Sequence, residues 1–555
     1  MRSSPPAARL FGSLALLGAA LYGAWRAVAL FWCSDDAFIS FRYAKNLNDG
    51  LGLVFNAGEH VEGYTNFSWT MLVAAAMRLG ADPVVFTQWA GLACFLGTLA
   101  LLAWLSRRIA PDAPFVPVAA VAFALHEHGQ VFASGGLETS LFTLLATGTV
   151  GVAAVTRGRA GFLLAGALGA AASMTRPDGI LLFGVAGLVA LWRSRQSRSA
   201  APFALVAAPG LLVYLPYWVW RYLYYGWPFP NTFYAKSAAS AYPQQGLYYL
   251  GLYLGCYFVL ALLPLGLAAG WSRARTRLLA SAVALAVTLY AAFVAWVGGD
   301  FMFARFLVPI TPLAYLGIEL LRVRLGSMLP SVLLVLVVGA ATVLRRHPGE
   351  EVTRLPGGAR GVVEERLNYT PETTAAMRSA GEQLRVLFAG HAVRVVIMGA
   401  QAVLAYYGEF ALAIEGCTGL TDEHIAHMPL AERKAVGHEK SVLLDPGYLL
   451  QRRVHFSLHL APDLYAAGHY QHIRFGPSIF GVVITYDPEL MRALRSAPGV
   501  ECVDFESYLD DYLVHLGDKG DDVVRADYAK FKTFYFDHVD DQAREEPLRR
   551  RLGLR

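Results

Sequence analysis

Residues 10–44 read LFGSLALLGAALYGAWRAVALFWCSDDAFISFRYA, an apolar run that ends in two adjacent aspartates. The apolar part carries a single charged side chain, Arg26, and is long enough for a transmembrane helix, which needs about 20 residues. Basic residues precede the run and no soluble domain follows it, so we interpret it as an uncleaved first membrane helix. Asp35 and Asp36 then lie where the chain leaves the membrane.

The composition of the whole chain fits a membrane protein. Its 555 residues are 55% hydrophobic and only 16% charged, against about 25% charged residues in ordinary soluble domains. The mean hydropathy of +0.41 agrees. The sequence therefore predicts a polytopic α-helical membrane protein.

Arginine clusters in short loops predict which ends of the helices are cytoplasmic. If all of these loops lie inside, the positive-inside rule holds along the chain. The same rule explains the basic clusters without nucleic acid as a partner. The arginines are Arg2, Arg9, Arg107, Arg108, Arg157, Arg159, Arg193, Arg195, Arg198, Arg273, Arg275, Arg277, Arg322 and Arg324.

Between these loops the apolar runs predict about eleven membrane spans. Their approximate ranges are 9–32, 83–105, 114–127, 137–155, 160–174, 179–192, 202–224, 247–270, 278–297, 305–321 and 327–344. An odd number of spans places the C-terminal part outside. The spans 114–127 and 179–192 are short and fit broken helices that line a cavity. The apolar segment Thr65–Gly80 fits a re-entrant or interfacial helix.

Two domains are predicted, a membrane domain at 1–345 and an extracytoplasmic α/β domain at 346–555. In the second, VRVVIMG (393–399) predicts a buried strand, and FALAIEG (410–416) and SVLLDPG (441–447) predict weaker ones. PELMRALRSA (488–497), with proline at its first position, predicts a helix. Cys417 and Cys502 fall in this domain, and we expect free thiols rather than a disulfide.

Almost all polar clusters of the membrane domain fall in loops that this topology places outside. The clusters are Asp35–Asp36, Glu59–Glu62, His126–His128, Glu138, Arg176–Asp178, Asn231–Lys236 and Asp300–Arg305. Ionisable groups cost about 2.5–3.5 kcal/mol in a bilayer, so those beside membrane helices should face protein or water. The mixture of acids and bases outside, against arginines inside, predicts a shared outward-facing polar site rather than ordinary hydrophilic loops.

The residues after Ser34 predict an amphipathic helix at the membrane surface. Arg42, Lys45, Asn46 and Asp49 fall on one face, and Ile39, Tyr43 and Leu47 on another. Ser34 is the expected N-cap, and the two aspartates in the first turn suit the positive end of the helix dipole. Capping accounts for acids there, but it does not account for their place at the mouth of a polar site.

Several segments resemble a known family. DDAFISFRYAKNLNDGLGLVFNAGEHVEGYTNF (35–67) is similar to the first extracytoplasmic loop of GT-C glycosyltransferases, specifically of the terminal arabinofuranosyltransferase and ZomB-like group. Further similar segments follow in order: SGGLETSLF (134–142), TRPDG (175–179), PNTFYAK (230–236), GGDFM (298–302) with Arg305, GLTDEHIA (419–426) and GHEK (437–440). The resemblance covers most of the chain.

The resemblance implies a GT-C fold, a location in the bacterial cytoplasmic (inner) membrane and a sugar transfer on the outer side. The donor would be a polyprenyl-phosphate sugar held partly in membrane lipid, and the acceptor a glycan or glycolipid. Pentofuranose and hexose donors both fit the motifs. A first-loop aspartate would take the proton of the acceptor hydroxyl as general base. Asp35 is favoured because it lines up with Arg42 and Asp49, and Asp36 remains the alternative.

Cationic residues would stabilise the leaving phosphate, and arginine suits bidentate phosphate contacts. Arg305, Lys236 and Arg176 are the cations available on this side. The full set of substrate-binding residues that we predict is Arg42, Glu62, Tyr64, Asn66, Glu138, Arg176, Asp178, Asn231, Lys236, Asp300 and Arg305.

Other interpretations stay open from sequence alone. No cofactor is required, but an aspartate pair is able to hold a divalent cation, and His126 and His128 could add nitrogen ligands. Two histidines in a polar loop are the more ordinary explanation. Glycan binding and a structural role are equally compatible with GLTDEHIA and GHEK. The alternative function is a non-catalytic transporter-like or motility-associated membrane protein, but the charges gather on one face and no repeat is visible.

Overall fold

The computed structural model describes residues 6–111, 115–236, 240–344, 360–397, 402–416, 418–430, 446–458, 472–475, 479–502 and 505–554. The chain forms two compact units. The first, here called the membrane unit, consists mainly of Met1–Leu53 and Glu62–Pro371. The second, the C-terminal unit, consists of Val54–Val61, Glu372–Pro429 and Lys440–Arg555. SVLLDPG falls mainly, and GHEK wholly, outside the described residues, as does Cys417.

The membrane unit is built from helices joined by short loops. Its α-helices are Pro6–Ala29, Asp35–Asn48, Phe67–Arg78, Pro83–Ile109, Val118–Ala124, Glu127–Val131, Thr139–Val155, Arg159–Thr175, Gly179–Ser197, Ala201–Pro209, Leu215–Tyr225, Asn231–Ala235, Pro243–Cys256, Leu263–Trp271, Arg277–Val297, Thr311–Glu319, Leu321–Leu325 and Met328–Val343. A π-helical turn at Gly210–Tyr214 joins two of them into one rod.

Within the described residues, four helices are long and apolar enough to cross a bilayer. They are Leu10–Ala29, Pro83–Ile109, Ala201–Tyr225 and Arg277–Val297. A further pair, Pro243–Cys256 and Phe258–Trp271, passes the same test together but is bent by 92°. These helices confirm a helical membrane protein. The count of eleven spans stays a prediction.

The prediction of a span at 114–127 is wrong. The helix there, Val118–Ala124, has 7 residues and is buried throughout. At 1.5 Å per residue it is about 10 Å long, far short of the bilayer core of about 30 Å. Its apolar composition reflects burial among other helices rather than contact with lipid. The predicted span 305–321 is likewise divided, into Val308–Ile310, Thr311–Glu319 and the start of Leu321–Leu325.

The helix after Ser34 begins where we predicted, with Ser34 at the N-cap, and it extends over Asp35–Asn48 with Asp49 at the C-cap. Its predicted position on a membrane surface is wrong, because both faces are buried. Tyr43 is fully buried on the apolar face, and Arg42 and Asn46 are buried on the polar face. The Ser34 side chain makes no capping hydrogen bond, so the cap is provided by the backbone conformation. The polar face of this helix therefore faces protein.

Four helices pack side by side and carry the site described below. We call Thr139–Val155, Arg159–Thr175, Gly179–Ser197 and Arg277–Val297 the four-helix core. They are 17, 17, 19 and 21 residues long, so each spans about 25–30 Å, comparable with the apolar thickness of a membrane. Consecutive helices of the first three are joined by short loops, so their ends alternate between two opposite sides.

The C-terminal unit contains a mixed six-stranded sheet in the order β2-β1-β3-β5-β4-β6. The strands are β1 (Arg394–Ile397), β2 (Leu412–Glu415), β3 (Phe456–Leu458), β4 (His472–Phe475), β5 (Ile479–Val483) and β6 (Val500–Cys502). β1 is parallel to β2 and β3, and the other pairs are antiparallel. The structure thus has strands where VRVVIMG and FALAIEG predict them.

Helices complete the C-terminal unit. They are Pro371–Leu387, Ala402–Gly408, Glu423–His427, Pro446–Gln451, Pro488–Arg495, Phe505–Val514, Asp521–Phe531 and Gln542–Arg551. The predicted helix after Asp487 is present as Pro488–Arg495. The Asp487 carboxylate caps it by accepting hydrogen bonds from the backbone N–H groups of Glu489 and Leu490. Leu490, Met491 and Leu494 are buried on its inner face.

The segment Val54–Val61 is separated in sequence from the rest of the C-terminal unit but packs within it. The Asn56 side-chain amide donates to the carbonyl oxygen of Ala413 at 3.0 Å and accepts from the N–H of the same residue at 3.0 Å. Glu59 forms an ion pair with Arg452. One side chain of this segment therefore substitutes for a neighbouring strand beside β2.

Candidate functional site

A buried arginine lies at the centre of the polar site in the membrane unit. Arg305 Nη1 is 3.5 Å from Asp36 Oδ2 and 3.6 Å from Asp300 Oδ2, and its Nη2 is 3.9 Å from Glu138 Oε1. The three carboxylates come from three separate parts of the chain. These contacts are longer than the 2.7–2.9 Å typical of charge-assisted hydrogen bonds, and the Arg305 Nε has no hydrogen-bond partner among the described residues. Arg305 is therefore held by electrostatic attraction more than by tight hydrogen bonds.

A second arginine binds the same acid much more tightly. Arg176 Nη1 donates to Glu138 Oε1 at 3.0 Å, and its Nε donates to Asp178 Oδ1 at 3.0 Å. Tyr290 donates a short hydrogen bond to the other oxygen of Asp178. The guanidinium also lies 4.7 Å from the ring centre of Phe306, a cation–π distance. Arg176 is thus fixed by its partners on every side.

Short polar side chains of the first loop hold the remaining oxygen of Glu138. Asn66 Nδ2 donates to Glu138 Oε2 at 3.1 Å. The Asn66 carbonyl oxygen in turn accepts from Ser40 Oγ at 3.1 Å and Thr70 Oγ1 at 3.0 Å. The carboxylate is therefore bound on both oxygens and stays in one orientation. The family-like segments around 66 and 138 meet through this hydrogen bond.

A glycine turn places Asp300 in the site. Gly298 and Gly299 have φ angles of +92° and +79°, a conformation that residues with a Cβ adopt at a cost. A Cβ on Gly299 would also lie 2.6 Å from the ring of Tyr249. The Asp300 carboxylate accepts from the N–H of Phe301 at 2.9 Å, which closes the turn. The turn reverses the chain directly after the helix Arg277–Val297 and directs Asp300 toward Arg305.

Sequence reasoning missed one acid of the site, Glu365. Burial, followed by the negative charges of Asp36, Asp300 and Asp35, raises the pKa of Glu365 to about 7. The Glu365 carboxylate also accepts a hydrogen bond from Asn368 Nδ2 at 3.3 Å. Glu365 lies in the short 3-10 turn Glu365–Leu367, which belongs to the membrane unit although we predicted that this domain ends at 345. The adjacent glutamates at 364–365 are a weak signal, because the sequence has such a pair at 350–351 as well.

The two first-loop aspartates differ in their surroundings. Asp35 is buried, with 2% of its surface exposed, whereas the Asp36 side chain is 23% exposed and faces Arg305. A base must reach the hydroxyl group from which it takes a proton. The exposure therefore favours Asp36 over Asp35, the residue that the helical face suggested.

Three of the predicted substrate-binding residues lie in a neighbouring cluster around Arg221. Glu62 Oε2 is 2.8 Å from Arg221 Nε, and the carbonyl oxygen of Glu62 accepts from the N–H of Asn231 at 3.0 Å. Tyr64 shares a hydrogen bond of 3.2 Å with Tyr225. Sequence reasoning missed Arg221, although a lone arginine inside an apolar run is a recognised sign of function or burial.

The remaining predicted residues take separate positions. Arg42 is buried on the helix Asp35–Asn48. Lys236 ends the short helix Asn231–Ala235 and is half-buried, and no described acid forms an ion pair with it. The structure therefore joins Asn66, Glu138, Arg176, Asp178, Asp300 and Arg305 with Asp36 in one network, and leaves Lys236 outside it.

The two histidines of HEH belong to a buried network of tyrosines. His126 is hydrogen-bonded to Tyr315 at 3.2 Å and to Tyr253 at 3.0 Å. His128 contacts Tyr257 at 2.5 Å and Glu364 at 3.0 Å. Both ring nitrogens of each histidine are thus engaged with protein. Among the residues that the structure describes, no group of three or more histidines, cysteines or acids has the geometry of a metal site.

The GLTDEHIA segment has a structural explanation in the C-terminal unit. Asp422 caps the helix Glu423–His427 through the N–H of Ile425 at 3.0 Å. Its other oxygen accepts from Tyr448 at 2.6 Å and from Arg452 at 2.8 Å. A buried carboxylate with three partners stabilises the loop that contains it. These contacts account for Asp422 without a bound glycan.

The geometry of the membrane-unit network suits the binding of an anion beside a base. Arg305 has donors that are only loosely engaged, and three carboxylates keep it in place before any ligand arrives. Asp36 lies next to it and is accessible. Buried charges that are held in advance are the usual way in which an active site stabilises developing charge.

Comparison with known proteins agrees with the motifs. The chain is 31% identical over 335 residues to a terminal β-(1→2)-arabinofuranosyltransferase of Mycobacterium tuberculosis, covering 52% of each protein. It is 29% identical over 344 residues to the protein of the same name from Corynebacterium glutamicum, covering 53% of this chain and 48% of that protein. The chain thus spans about half the length of these relatives. No protein-family model matches it.

Solved structures show the same fold. ArnT from Cupriavidus metallidurans bound to undecaprenyl phosphate aligns with a TM-score of 0.57 and 12% identity, covering 86% of this chain and 98% of ArnT. Its apo state gives a TM-score of 0.51 at 13% identity. The resemblance that the motifs indicated is confirmed: the chain has homologues among terminal arabinofuranosyltransferases and the helical membrane fold of GT-C glycosyltransferases.

Proposed function

We propose that this chain is a membrane glycosyltransferase that moves a sugar from a polyprenyl-phosphate donor to a glycan or glycolipid acceptor on the extracytoplasmic side. The observation that carries the proposal is the loosely bound Arg305 beside Asp36 in a network of buried charges. The names of the two relatives supply the reaction class, and the lipid phosphate held by ArnT supplies the donor class.

Arg305 is the residue that we propose for the donor phosphate. Arg176 is closer to ideal hydrogen-bond geometry with Glu138 and Asp178, so its donors are already used. Arg305 lies 3.5–3.9 Å from its three carboxylates, so its N–H groups are able to turn to a phosphate without breaking a short hydrogen bond. A planar guanidinium matches two phosphate oxygens at once.

Asp36 is the proposed general base. The acceptor hydroxyl gives its proton to the Asp36 carboxylate while its oxygen forms a bond to the anomeric carbon of the donor sugar. The bond from that carbon to the phosphate oxygen breaks, and the polyprenyl phosphate leaves with the electron pair. The phosphate engages Arg305, which leaves the neighbouring Asp36 carboxylate facing the acceptor hydroxyl.

The test is transfer of radiolabelled sugar from polyprenyl-phosphate donors, pentofuranose and hexose in parallel, in membranes that contain the chain. Asp36→Asn should reduce transfer by about 10²–10⁴-fold, the usual contribution of a general base. Asp35→Asn, measured alongside, separates the two aspartates. Asp49→Asn is the matched control, because Asp49 is on the C-cap of the same helix and forms an exposed pair with Lys45.

If both Asp35→Asn and Asp36→Asn transfer sugar at the rate of the unchanged chain, the proposed role of a first-loop aspartate as general base is wrong. Sidedness needs its own measurement, since the topology is a prediction. Single cysteines replacing Asp49 and Arg195, both exposed, are labelled with a membrane-impermeant maleimide on intact cells. We expect labelling at 49 and none at 195. The opposite pattern would place the site on the cytoplasmic side.

A further inference from the structure

A second polar region of the membrane unit lies at the other ends of the helices that carry the site. A cavity of about 980 Å³ opens there. Four arginines line it: Arg157 and Arg275 from loops, and Arg108 and Arg193 from the adjoining ends of two helices. None of the described residues that line it is acidic. The positive-inside rule explains arginines in these loops, but it requires only their number on one side and not their convergence on one cavity.

Three of the cavity arginines differ from Arg176 and Arg305 in their ion pairs with the described acids. Arg108, Arg157 and Arg193 form no ion pair with any described acid. The Arg193 Nε is buried without a hydrogen-bond partner, and one N–H of this guanidinium donates to the carbonyl oxygen of Ala154 at a long 3.3 Å. A buried guanidinium N–H without a partner costs free energy that an anion would recover.

Helix ends add to the positive potential. Gly158 and Thr276, the N-caps of Arg159–Thr175 and Arg277–Val297, both line the cavity. The positive ends of two long helix dipoles therefore point to the same space as the four guanidinium groups. Nothing in the proposed transfer reaction uses this region, because the four-helix core separates it from Arg305 by about 25 Å.

The rim of the cavity is apolar and faces outward. Trp104 and Leu164 line it and are 38% and 50% exposed. Exposed tryptophan beside arginine is typical of the membrane–water interface, where anionic headgroups lie. Arg108 lies 5.1 Å from the Trp104 ring centre, which holds the guanidinium at the rim. A ligand that enters here would bring both a negative charge and an apolar part.

We propose that this cavity binds a phosphate group of the kind carried by anionic phospholipids, on the side that the arginine pattern predicts to be cytoplasmic. The site is separate from the transfer site, and its occupation does not depend on the proposed reaction. Its positive lining and open apolar rim favour a lipid headgroup, and inorganic phosphate shares the same chemistry.

The test is binding to the purified full chain in nanodiscs. Discs of phosphatidylcholine are compared with discs that contain 20% phosphatidylglycerol, and native mass spectrometry counts the retained anionic lipids. Replacing Arg108, Arg157 and Arg193 together by glutamine should weaken retention by about 100-fold, since each basic residue near a surface contributes about fivefold. The matched control replaces Arg195, Arg198 and Arg273, which do not line the cavity, and should retain the lipid.

A second variant keeps every charge and the topology signal. Ala274 lines the cavity, and Ala274→Trp should fill part of it and weaken retention. A parallel titration with inorganic phosphate alone identifies the source, because competition at millimolar phosphate would assign a free-anion site and its absence a headgroup site. Equal losses in the control triple variant, or unchanged retention in both the lining triple variant and Ala274→Trp, would overturn the proposal.

Discussion

The two ends of the four-helix core differ in how their charged residues are paired. At one end, Arg176 and Arg305 share the carboxylate of Glu138 with Asp36, Asp178 and Asp300 around them. At the other end, four arginines surround a cavity without an acid among its described lining residues. The same helices thus join a network of paired charges at one end to a group of arginines with no acid beside them in the cavity lining at the other.

This difference separates two ways of using arginine in a membrane protein. A buried arginine that is paired in advance orients its neighbours and is costly to disturb, because a lone charge would remain in a low-dielectric interior. An arginine that lacks a protein anion contributes little to folding and is available for an outside one. The predictions below test whether the two ends behave in these two ways.

The largest effect should come from Glu138, the carboxylate common to both buried arginines. Glu138→Ala leaves Arg176 and Arg305 without their shared partner, and removal of one member of a buried ion pair costs about 3–5 kcal/mol. We expect a loss of that size in the free energy of unfolding, measured by denaturation in mixed micelles. Asp49→Ala, which removes an exposed acid, should cost less than about 1 kcal/mol. Equal costs would mean that the network is not structural.

The second largest effect should be a pH dependence of stability that is present at the end with the carboxylates and absent at the end with the four cavity arginines. Glu365 has a pKa raised to about 7, above the value of 4.5 expected for an unfolded chain. The folded state therefore binds this proton more tightly, and the group contributes stability that is lost as the pH rises from about 4.5 through about 7. Glu365→Gln stays neutral, so its stability relative to the unchanged chain should grow by about 2–3 kcal/mol between pH 4.5 and pH 8.

Thermal unfolding across that pH range measures the effect, with Asp49→Asn as a control whose curve should run parallel to the unchanged chain. Parallel curves for Glu365→Gln would show that its carboxyl group is not held neutral near the first-loop aspartates. Variants of the arginine end should show no pH dependence in this range, because guanidinium groups stay charged.

Glycines at the two ends provide a backbone test of smaller size. Gly299→Ala adds a Cβ at a φ of +79° and 2.6 Å from the Tyr249 ring, so we expect a cost of about 1–3 kcal/mol and slower transfer. Gly158→Ala at the arginine end meets nothing within 4 Å and should cost less than about 0.5 kcal/mol. Equal unfolding midpoints for the two variants would contradict the strained turn at Asp300.

The smallest change is expected for an arginine of the cavity. Arg193→Gln should alter the free energy of unfolding by at most about 0.5 kcal/mol in zwitterionic lipid, since no described acid loses a partner. Arg176→Gln, the same substitution beyond the other end of Gly179–Ser197, should cost several times more. Similar losses would show that the arginine end is also a structural network.

Much of the difference between the two ends could be predicted from one sequence, because the positive-inside rule separates arginine-rich loops from loops of mixed charge. The alternation of arginine loops with mixed-charge loops predicted that Glu138, Arg176 and Arg305 would gather on one side, and the structure joins them. The start of Asp35–Asn48 followed from a cap residue and its two faces from a helical period. β1 and Pro488–Arg495 followed from β-branched residues and an N-terminal proline.

What the sequence did not reveal depends on long-range packing. A helical period shows that two faces differ, but not that protein covers both, so Asp35–Asn48 was predicted at a surface. Glu365 was missed because its role depends on neighbours about 65 and 330 residues earlier in the chain, Asp300 and Asp36. The apolar run at 114–127 looks the same whether lipid or other helices surround it.

The amide of Asn56 has a consequence for the order of events during synthesis. It completes the edge of β2 through Ala413, a residue 357 positions later. At about 5–20 residues per second, the ribosome needs roughly 20–70 s to reach that strand after the asparagine has emerged. During that time the segment Val54–Val61 has no β2 to pair with, because the helices between them are synthesised first. The C-terminal unit therefore depends on a piece of chain that is synthesised long before the rest of it, and residues 372–555 expressed alone would lack that piece.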